Sequence, residues 1–471
     1  MTDRALKVEG KHIAVAGLGI AGFAAADALL ELGAQVSVFD ASDAQTQKEH
    51  AQVLEILGAK VFLGFNDELP NNFDLLVVSP GLPPRHPWIV RTQQKGIPVW
   101  GELELAWQLR PLNNPAPWLC ITGTNGKTTA TLMLESMLKA SGLISQAVGN
   151  IGDSIVSAIM NPTPAQVLAV EVGAPQLPFV YSMSPESSVV LNLAQDHVDF
   201  FGSFENYHDA KAKIYYQTRN ACVYNVDDPV TEKMVENADV VAGARAIGFT
   251  LGVPSISMLG VIDDCLVDRA FIENRKDHAQ ELATFDDIKP FAPHNVANAL
   301  AAAALARSIN IEPAYIKKGL QDFQPAPHRI SLVANLAGVK YVDDSKATNT
   351  HAADTSLSAY QNVVWIAGGL AKGQDFTELV KKHASRIRAV ILLGKDRDLI
   401  RKTFEKHSPH TPLFEVNSTD SQAMNQVVAK AQTLAQKGDV VLLAPGCASW
   451  DMFKDYKDRG NSFAQAVRSL Q

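Results

Sequence analysis

Residues 119–130 read LCITGTNGKTTA and combine the features of a phosphate-binding loop. A short apolar run precedes Gly123, and the following segment, TTATLMLESMLKASG, has helical periodicity. Backbone N–H groups and the helix dipole favour anions at such a strand–loop–helix junction. The loop is shorter than the common G-x-x-x-x-G-K-[ST] pattern, because only two residues separate Gly123 from Gly126. These residues predict a nucleotide site of a shortened form.

Two side chains of this loop suit a nucleoside triphosphate. Lys127 can reach β- and γ-phosphates, and the hydroxyl of Thr128 can ligate Mg²⁺. The alternative is a glycine-rich turn with an exposed lysine. The strand before, the helix after and the G-K-T-T run favour ATP binding over that alternative.

Polar residues at the ends of later strands are candidate metal ligands. Glu171 ends the apolar run VLAVEV, and His197 follows SSVVLNL with Asp196 beside it. Carboxyl ends of parallel strands meet at one sheet edge, where a phosphate-bound Mg²⁺ needs oxygen or imidazole ligands. Taken alone, His197 is more typical of a structural histidine, and Lys211 in NYHDAKAKIYY of an exposed helix lysine.

Composition excludes several classes of protein. The 471 residues are 46% hydrophobic and 20% charged, with a net charge of −8 and no basic stripe suited to nucleic acid. The cysteines are scattered without a C-x-x-C pair, which fits a reducing compartment. Charges stand where a signal peptide needs an apolar core, and no run is long enough for a membrane span. We expect a soluble cytoplasmic protein without membrane insertion.

Strand-like apolar runs alternate with helical patterns along the whole chain, which predicts α/β architecture with parallel sheets. An irregular region near 240–290 includes ISMLGVIDDCLV, which predicts a β-hairpin. Proline-rich stretches at 110–118 and 323–329 are candidate linkers. We therefore expect three domains, over residues 1–113, 114–326 and 327–471.

The first domain contains a second glycine loop. Gly17, Gly19 and Gly22 form G-x-G-x-x-G between a strand and a helix, and Asp40 ends the next strand. This context is that of a dinucleotide-binding fingerprint. An NAD-dependent oxidoreductase is therefore one interpretation of this loop, but the motif by itself is weak, because any tight strand-to-helix turn favours glycine.

Several spaced motifs together resemble the Mur ligases, the ATP-dependent amide-bond ligases of peptidoglycan precursor synthesis. They are GTNGKTT, DHVDFFGSFENYHDAKAKIY, HNVANALAAAAL, PHRISLV, DDSKATN and CASWDMFKDYKDRGNSF. The resemblance covers essentially the whole chain and is closest to the members that add D-glutamate. It implies a Rossmann-like N-terminal domain for the UDP substrate, a central P-loop ATPase domain and a Rossmann-like C-terminal domain for the amino acid. The implied reaction joins D-glutamate to UDP-N-acetylmuramoyl-L-alanine through an acyl phosphate.

The resemblance also implies a role for particular residues. Those expected to bind ATP are Gly123, Thr124, Asn125, Gly126, Lys127, Thr128, Thr129, Asn295, Asn298, Arg329 and Asp344. Those expected to bind the UDP substrate are Gly17, Gly19, Ile20, Ala21, Asp40, Ala41, Ser79, Pro80, Gly81, Asn150 and Gln176. Those expected to bind glutamate are Lys346, Thr348, Lys372, Ser449 and Tyr456.

The same resemblance assigns the metal site and the catalytic residues. Two Mg²⁺ ions would be held by Thr128, Glu171, His197 and Lys211, with Lys211 carbamylated so that a cation becomes a carboxylate-like ligand. Lys127, Glu171, His197 and Lys211 would be the catalytic residues. We expect a monomer whose partners are the small-molecule substrates.

One departure from the family pattern concerns residues 171–177. The family usually reads E-x-S-S-F-Q-L there, and this chain reads EVGAPQL, which lacks both serine hydroxyls and the aromatic ring. Pro175 also removes a backbone donor. Three alternatives stay open: a ligase for another amino acid such as L-glutamate, an NAD-dependent oxidoreductase, and a nucleotide-binding homologue without catalysis.

Overall fold

The computed structural model describes residues 4, 6–325, 328–418 and 423–470. The chain divides into two compact units, residues 1–324 and 325–471. The first unit contains a five-stranded and a nine-stranded sheet, and the second contains a six-stranded sheet. The expected domain boundary near 326 lies outside the described residues, and the boundary near 113 stays a prediction. No described helix is both long enough and apolar enough to cross a bilayer.

The N-terminal sheet is parallel, in the order β3-β2-β1-β4-β5. Its strands are β1 (His12–Ala16), β2 (Gln35–Asp40), β3 (Lys60–Leu63), β4 (Leu75–Val78) and β5 (Val99–Gly101), with helices α1 (Ile20–Glu31), α2 (Gln45–Ile56), α3 (Pro87–Gln94) and α4 (Glu102–Gln108). The strand order reverses between β1 and β4, and such a switch point opens a crevice at the carboxyl ends of the strands.

The central sheet has the order β14-β13-β12-β11-β10-β9-β6-β8-β7. Its strands are β6 (Trp118–Thr122), β7 (Ser145–Gly149), β8 (Val167–Glu171), β9 (Ser187–Val190), β10 (Ala221–Asn225), β11 (Arg245–Phe249), β12 (Met258–Ile262), β13 (Cys265–Asp268) and β14 (Gln280–Thr284). The pairs β12–β13 and β13–β14 are antiparallel, which confirms the predicted hairpin and extends it by one strand.

The helices of this part surround the parallel portion of the sheet. They are α5 (Lys127–Ala140), α6 (Ile155–Met160), α7 (Val198–Phe201), α8 (Phe204–Ala212), α9 (Pro229–Glu236), α10 (Pro293–Ser308) and α11 (Pro313–Asp322), with 3₁₀ turns at Ala174–Phe179, Lys213–Tyr215 and Phe285–Asp287. The strand–loop–helix junction predicted at residues 119–130 is formed by β6 and α5.

The C-terminal sheet has the order β15-β16-β20-β17-β18-β19. Its elements are β15 (Ser331–Leu336), β16 (Val339–Asp343), α12 (Thr350–Ser358), β17 (Val363–Gly368), α13 (Thr377–His383), a 3₁₀ turn (Ala384–Arg386), β18 (Ile387–Leu393), α14 (Arg397–His407), β19 (Leu413–Glu415), α15 (Ala423–Leu434), β20 (Val440–Leu443) and α16 (Tyr456–Arg468). All neighbours are parallel except β15 and β16, which form an antiparallel edge that the sequence pattern did not predict. The carboxyl ends of β16, β20 and β17 therefore lie side by side.

Helices α5, α10 and α11 pack closely against one another behind the phosphate loop. Residues 299–306 of α10 are all fully buried, because alanine allows a helix to approach its neighbours on every side. A Cβ added at Gly319 of α11 would lie 2.4 Å from the Cα of Met137 in α5. The Ser136 hydroxyl donates to the Gly319 carbonyl at 2.7 Å, which fixes the same contact.

Gly319→Ala should lower the free energy of unfolding by about 2 kcal/mol, since an added methyl group meets backbone atoms that cannot move aside. Gly252→Ala is the control, because the atom closest to its added Cβ lies at 3.6 Å, an ordinary contact distance. Urea unfolding of both variants measures the difference. Equal stability of the two variants would contradict this account of the packing.

Candidate active site

The phosphate loop is closed on one side by helix α10. Gly126 has a φ of +83°, in the left-handed region that glycine adopts most easily. A Cβ at this position would lie 2.4 Å from Oδ1 of Asn298, so the loop backbone and this side chain are in close contact. Asn295, one turn earlier in α10, donates from Nδ2 to the Pro290 carbonyl at 2.8 Å. Both asparagines are buried beside the loop.

Residues that follow β9 hold the loop on the other side. The Thr124 hydroxyl lies 2.9 Å from the phenol oxygen of Tyr207 and accepts from the backbone N–H of Ala194, also at 2.9 Å. The backbone N–H of Asn125 donates to Oδ1 of Asn192 at 2.9 Å. Burial raises the pKa of Tyr207 far above its ordinary value, so the phenol stays neutral. Sequence analysis assigned no role to Tyr207 or Asn192, although Tyr207 stands inside a quoted motif.

Lys127 is the cation at the mouth of the loop. Its ammonium donates to the carbonyl oxygens of Gly123 at 2.8 Å and Thr124 at 3.0 Å. The Lys127 side chain is therefore folded back over the loop that precedes its own helix, α5. A bound phosphate would compete with these carbonyl oxygens for the Lys127 ammonium.

The carboxylate of Glu171 lies at the end of β8 and is only 2% exposed. The Thr128 hydroxyl donates to Oε2 at 2.7 Å, and Asn150 donates from Nδ2 to Oε1 at 2.8 Å. The N-terminus of α5 and the carboxyl ends of β7 and β8 thus meet at one buried carboxylate. Carboxylate and hydroxyl oxygens are the ligands that Mg²⁺ prefers, so the residues present fit this ion.

Lys211 does not behave as an exposed helix lysine. It is 1% exposed, and its Nζ donates to the Thr122 hydroxyl at 3.3 Å while lying 5.0 Å from the ring centre of Tyr207. Burial, and next the charge of Lys127, hold the pKa of Lys211 well below its ordinary range, against the opposing influence of nearby carboxylates. The alternative of an exposed, solvated lysine is therefore wrong.

His197 differs from the other candidate ligands because its side chain is about half exposed. Its backbone has a φ of +52°, its Nε2 lies 3.7 Å from Oδ2 of Asp196, and its ring centre lies 6.2 Å from that of Tyr207. Among the described residues, no group of three His, Cys, Asp or Glu side chains is arranged to hold a metal ion. The expected metal ligands, Thr128, Glu171, His197 and Lys211, therefore stay a prediction.

A cavity of about 750 Å³ opens at the switch point of the N-terminal sheet. Nine residues expected to bind the UDP substrate line it: Gly17, Gly19, Ile20, Ala21, Asp40, Ala41, Ser79, Pro80 and Gly81. A Cβ at Gly22 would lie 1.8 Å from the carbonyl oxygen of Gly17, so this glycine allows α1 to pack on its loop. Trp88 and Arg91 also line the cavity, and sequence analysis did not select them.

The other two residues expected at this substrate, Asn150 and Gln176, lie away from the cavity and near Glu171. Gln176 is 3% exposed, accepts from the Gly173 backbone N–H at 2.7 Å and donates to Oε2 of Glu102 at 3.2 Å. Pro175 stands in the first turn of a 3₁₀ helix, where a missing N–H costs no hydrogen bond. The departure from the family pattern is therefore accommodated locally.

In the C-terminal unit, aromatic rings face two of the expected glutamate-binding lysines. The Lys346 ammonium lies 3.9 Å from the ring centre of Tyr456, and the Lys372 ammonium lies 4.1 Å from that of Trp450. Thr348 donates its backbone N–H to the Lys346 carbonyl at 2.8 Å, and Ser449 is 2% exposed after β20. All five expected residues belong to segments that follow β16, β17 and β20.

A buried arginine joins two of these segments, and sequence analysis missed it. Arg459 donates to the Ser345 hydroxyl at 2.9 Å, to the Ser345 carbonyl at 2.8 Å and to the Cys447 carbonyl at 3.0 Å. Burial lowers the pKa of Arg459 to about 10, so it keeps its charge at neutral pH. The loop after β16 and the loop after β20 are thereby tied together.

Asp344 directly follows β16 and is buried beside that arginine. The Ser356 hydroxyl donates to its carboxylate. Burial raises the pKa of Asp344 to about 6, against the opposing effects of the Ser356 bond and the charge of Arg329. Arg329 and Asp344 are the two residues of the C-terminal unit that were expected to bind ATP.

Three family models match the chain in order. Residues 11–101 match the Mur ligase MurD-like N-terminal domain, residues 121–306 the Mur ligase middle domain, and residues 328–447 the Mur ligase glutamate ligase domain. The chain is 53% identical over 463 residues to the UDP-N-acetylmuramoylalanine--D-glutamate ligase of Streptomyces coelicolor, with 98% of each chain covered. It is 49% identical to the enzyme of the same name from Thermobifida fusca, covering 99% of this chain and 100% of that one.

Solved structures share the fold at low sequence identity. The UDP-N-acetylmuramate-alanine ligase MurC from Thermotoga maritima aligns with a TM-score of 0.60 at 18% identity, over 98% of this chain and 100% of that one. A pseudomurein peptide ligase type C from Methanothermus fervidus aligns with a TM-score of 0.59, also at 18% identity and the same coverage.

Replacement of Asp344 by asparagine should relieve a pH-dependent cost of folding. The folded chain keeps a proton on Asp344 up to about pH 6 that the unfolded chain releases near pH 4, so stability falls as pH rises through this window. A shift of this size corresponds to about 3 kcal/mol. Asp344→Asn should therefore gain about that much relative to the unaltered chain between pH 4 and pH 7, measured by urea unfolding.

Asp354→Asn is the control with the opposite sign. Burial alone would raise the pKa of Asp354, but hydrogen bonds from His383 and Lys382 lower it to about 2. The effect of Asp354→Asn on the free energy of unfolding should therefore change little above pH 4. A parallel pH dependence of the two variants would refute the assignment to Asp344.

Proposed function

Because the chain belongs to the Mur ligase family, we propose that it joins D-glutamate to UDP-N-acetylmuramoyl-L-alanine in an ATP-dependent step of peptidoglycan precursor synthesis. The observation that carries this proposal is the meeting of Lys127, Thr128, Glu171 and Lys211 at the carboxyl ends of β6 and β8. The relatives that are about half identical over their whole length bear the name of this reaction.

The first chemical step is a phosphoryl transfer. The alanyl carboxylate attacks the γ-phosphorus of ATP in line, an O–P bond forms, and ADP leaves with the electrons of the broken bond. The Lys127 ammonium stabilises the charge on the transferred oxygens, since electrostatic stabilisation supplies most of the catalysis in such reactions. If residues 123–129 bind the phosphates as proposed, this lysine would lie at the reacting group.

The second step forms the amide. The glutamate amine attacks the acyl phosphate carbon, a tetrahedral intermediate forms, and its collapse expels inorganic phosphate while the amine loses a proton. Lys346 and Lys372 are the cations that would bind the two carboxylates of glutamate, because two ammonium groups match a dicarboxylate. Tyr456 and Trp450 lie against these lysines and limit their freedom.

Thr128, Glu171, His197 and Lys211 are the residues that would hold Mg²⁺. When bound, the metal neutralises phosphate charge and orients the oxygens. An unmodified ammonium at Lys211 would repel the ion. Carbamylation solves this: the neutral amine adds to CO₂, a C–N bond forms and one proton is released, leaving an anionic oxygen donor. The depressed pKa of Lys211 favours the amine that this step requires.

The 750 Å³ cavity of the N-terminal sheet would hold the UDP portion of the substrate. Its glycine loop then serves the substrate, and NAD is not needed. We further propose a cytoplasmic monomer with three domains, over residues 1–113, 114–326 and 327–471.

ADP release in a coupled assay tests the function. We expect release that requires ATP, UDP-N-acetylmuramoyl-L-alanine and D-glutamate together, and little release with L-glutamate or other amino acids. Lys127→Met should lower kcat by about 10² to 10³, since one preorganised stabilising charge is lost. No ADP release by the unaltered chain, or faster release with another amino acid, would overturn the proposal. Binding of NADH would revive the oxidoreductase alternative.

Carbamylation of Lys211 has its own test. Lys211→Ala should lose activity and recover part of it when a short carboxylate such as formate is added, because the small anion can enter the space of the missing side chain. Lys213→Ala, which removes a neighbouring lysine that donates to the Pro178 carbonyl, is the control. Full activity of Lys211→Ala without any carboxylate would disprove a ligand role.

A further inference from the structure

Glu102 is a buried carboxylate to which neither the sequence nor the mechanism assigns a role. It is the first residue of α4, directly after β5 of the N-terminal sheet, and is 4% exposed. Its Oε1 accepts from the Ser154 hydroxyl at 2.6 Å, and its Oε2 accepts from Gln176 at 3.2 Å. Burial raises the pKa of Glu102, and these donors, together with the Ile155 backbone, oppose that rise.

The two donor side chains stand on the two segments that flank Glu171. Ser154 caps α6 and ends the turn that carries Asn150, whose side chain donates to Glu171. Gln176 follows β8 and accepts from the backbone N–H of Gly173. The segments also touch each other, since a Cβ at Gly173 would lie 3.2 Å from the Asn150 carboxamide. The Glu102 carboxylate at the start of α4 therefore restrains both segments beside Glu171.

The unusual sequence at 173–175 makes this restraint more important. Glycine, alanine and proline offer no hydroxyl or carboxamide that could fix the segment after Glu171. The Gln176 side chain fixes it instead, because it closes a hydrogen bond onto Gly173. A carboxamide held in that orientation points its NH₂ group at Glu102, and a buried donor without an acceptor is costly.

We propose that Glu102 is a positioning residue for the muramoyl end of the substrate, acting through Gln176 and through the turn that carries Asn150. The inference rests on the proposed function, since it assumes that Asn150 and Gln176 face this substrate. Glu102 touches no reacting atom. It holds the two segments at the distance that the substrate requires, and it links the sheet that carries the UDP cavity to the sheet that carries the phosphate loop.

Steady-state kinetics of Glu102→Gln tests this role, with Glu104→Gln as the matched control. Glu104 lies two residues further on the same helix, is 1% exposed, and accepts from the backbone N–H groups of Tyr181 at 2.8 Å and Ser182 at 2.9 Å, away from Glu171. Glu102→Gln should raise KM for UDP-N-acetylmuramoyl-L-alanine about tenfold, as expected for the loss of one hydrogen bond to a charged group. KM for D-glutamate should stay within about twofold in both variants.

The split between KM and kcat separates positioning from a purely structural role. Glu102→Gln should raise KM for the muramoyl substrate while kcat at saturating substrate stays within about twofold, because only binding of that substrate is weakened. Loss of folded enzyme would instead lower the apparent kcat and leave KM unchanged. Ser154→Ala removes one donor only and replaces Glu102→Gln if that variant does not fold, with a smaller rise in the same KM expected.

Three results would overturn the inference: an unchanged KM for the muramoyl substrate in Glu102→Gln and Ser154→Ala, an equal rise in Glu104→Gln, or an equal rise in KM for glutamate. Failure of the unaltered chain to release ADP would sink the proposed function instead. Calorimetric titration of the same variants with UDP-N-acetylmuramoyl-L-alanine then tests the inference without catalysis. Weaker binding by Glu102→Gln than by Glu104→Gln would support the inference, and equal binding would refute it.

Discussion

The arrangement of the first unit depends on one buried anion, the carboxylate of Glu171. A charge that is removed from water must be matched by hydrogen-bond donors or by a cation. The donors come from α5, through Thr128, and from the turn after β7, through Asn150. Strand β8 lies between β6 and β7, so these hydrogen bonds join the carboxyl ends of β7 and β8 to the helix that follows β6. A carboxylate and a hydroxyl, which are groups that a divalent cation prefers, are thereby held side by side.

Glu171 is matched by hydrogen-bond donors, whereas burial of Lys211 disfavours its charged form. Its ammonium gains one hydroxyl acceptor at 3.3 Å, which is little compensation for the loss of water. The amine therefore tends to give up its proton, and a neutral amine is a nucleophile where an ammonium is not. The same burial that surrounds Glu171 with hydrogen-bond donors thus lowers the pKa of Lys211. The two residues stand on different elements and share these surroundings only through the fold.

The second unit solves a similar problem with a buried cation. Arg459 is almost completely buried, and the hydroxyl and carbonyl oxygens of Ser345 and Cys447 satisfy its guanidinium. Its planar donors join two loops with fixed geometry, which a lysine with rotating donors would do less well. The aromatic contacts of Lys346 and Lys372 reduce the freedom of the cations that border these loops. The loops after β16 and β20 are thereby joined, and the two lysines beside them are held against aromatic rings.

Local patterns in the sequence determined the α/β class, the strand–loop–helix at 119–130, the hairpin at 256–267 and the glycine loop at Gly17, because periodicity and turn chemistry depend on neighbouring residues. The motif resemblance supplied the family. Tertiary structure alone decided that Lys211 is buried, that Gln176 pairs with a glutamate 74 positions earlier, and that Arg459 bonds to Ser345, 114 positions earlier. These facts depend on which distant segments exclude water from a side chain, and no local period encodes that.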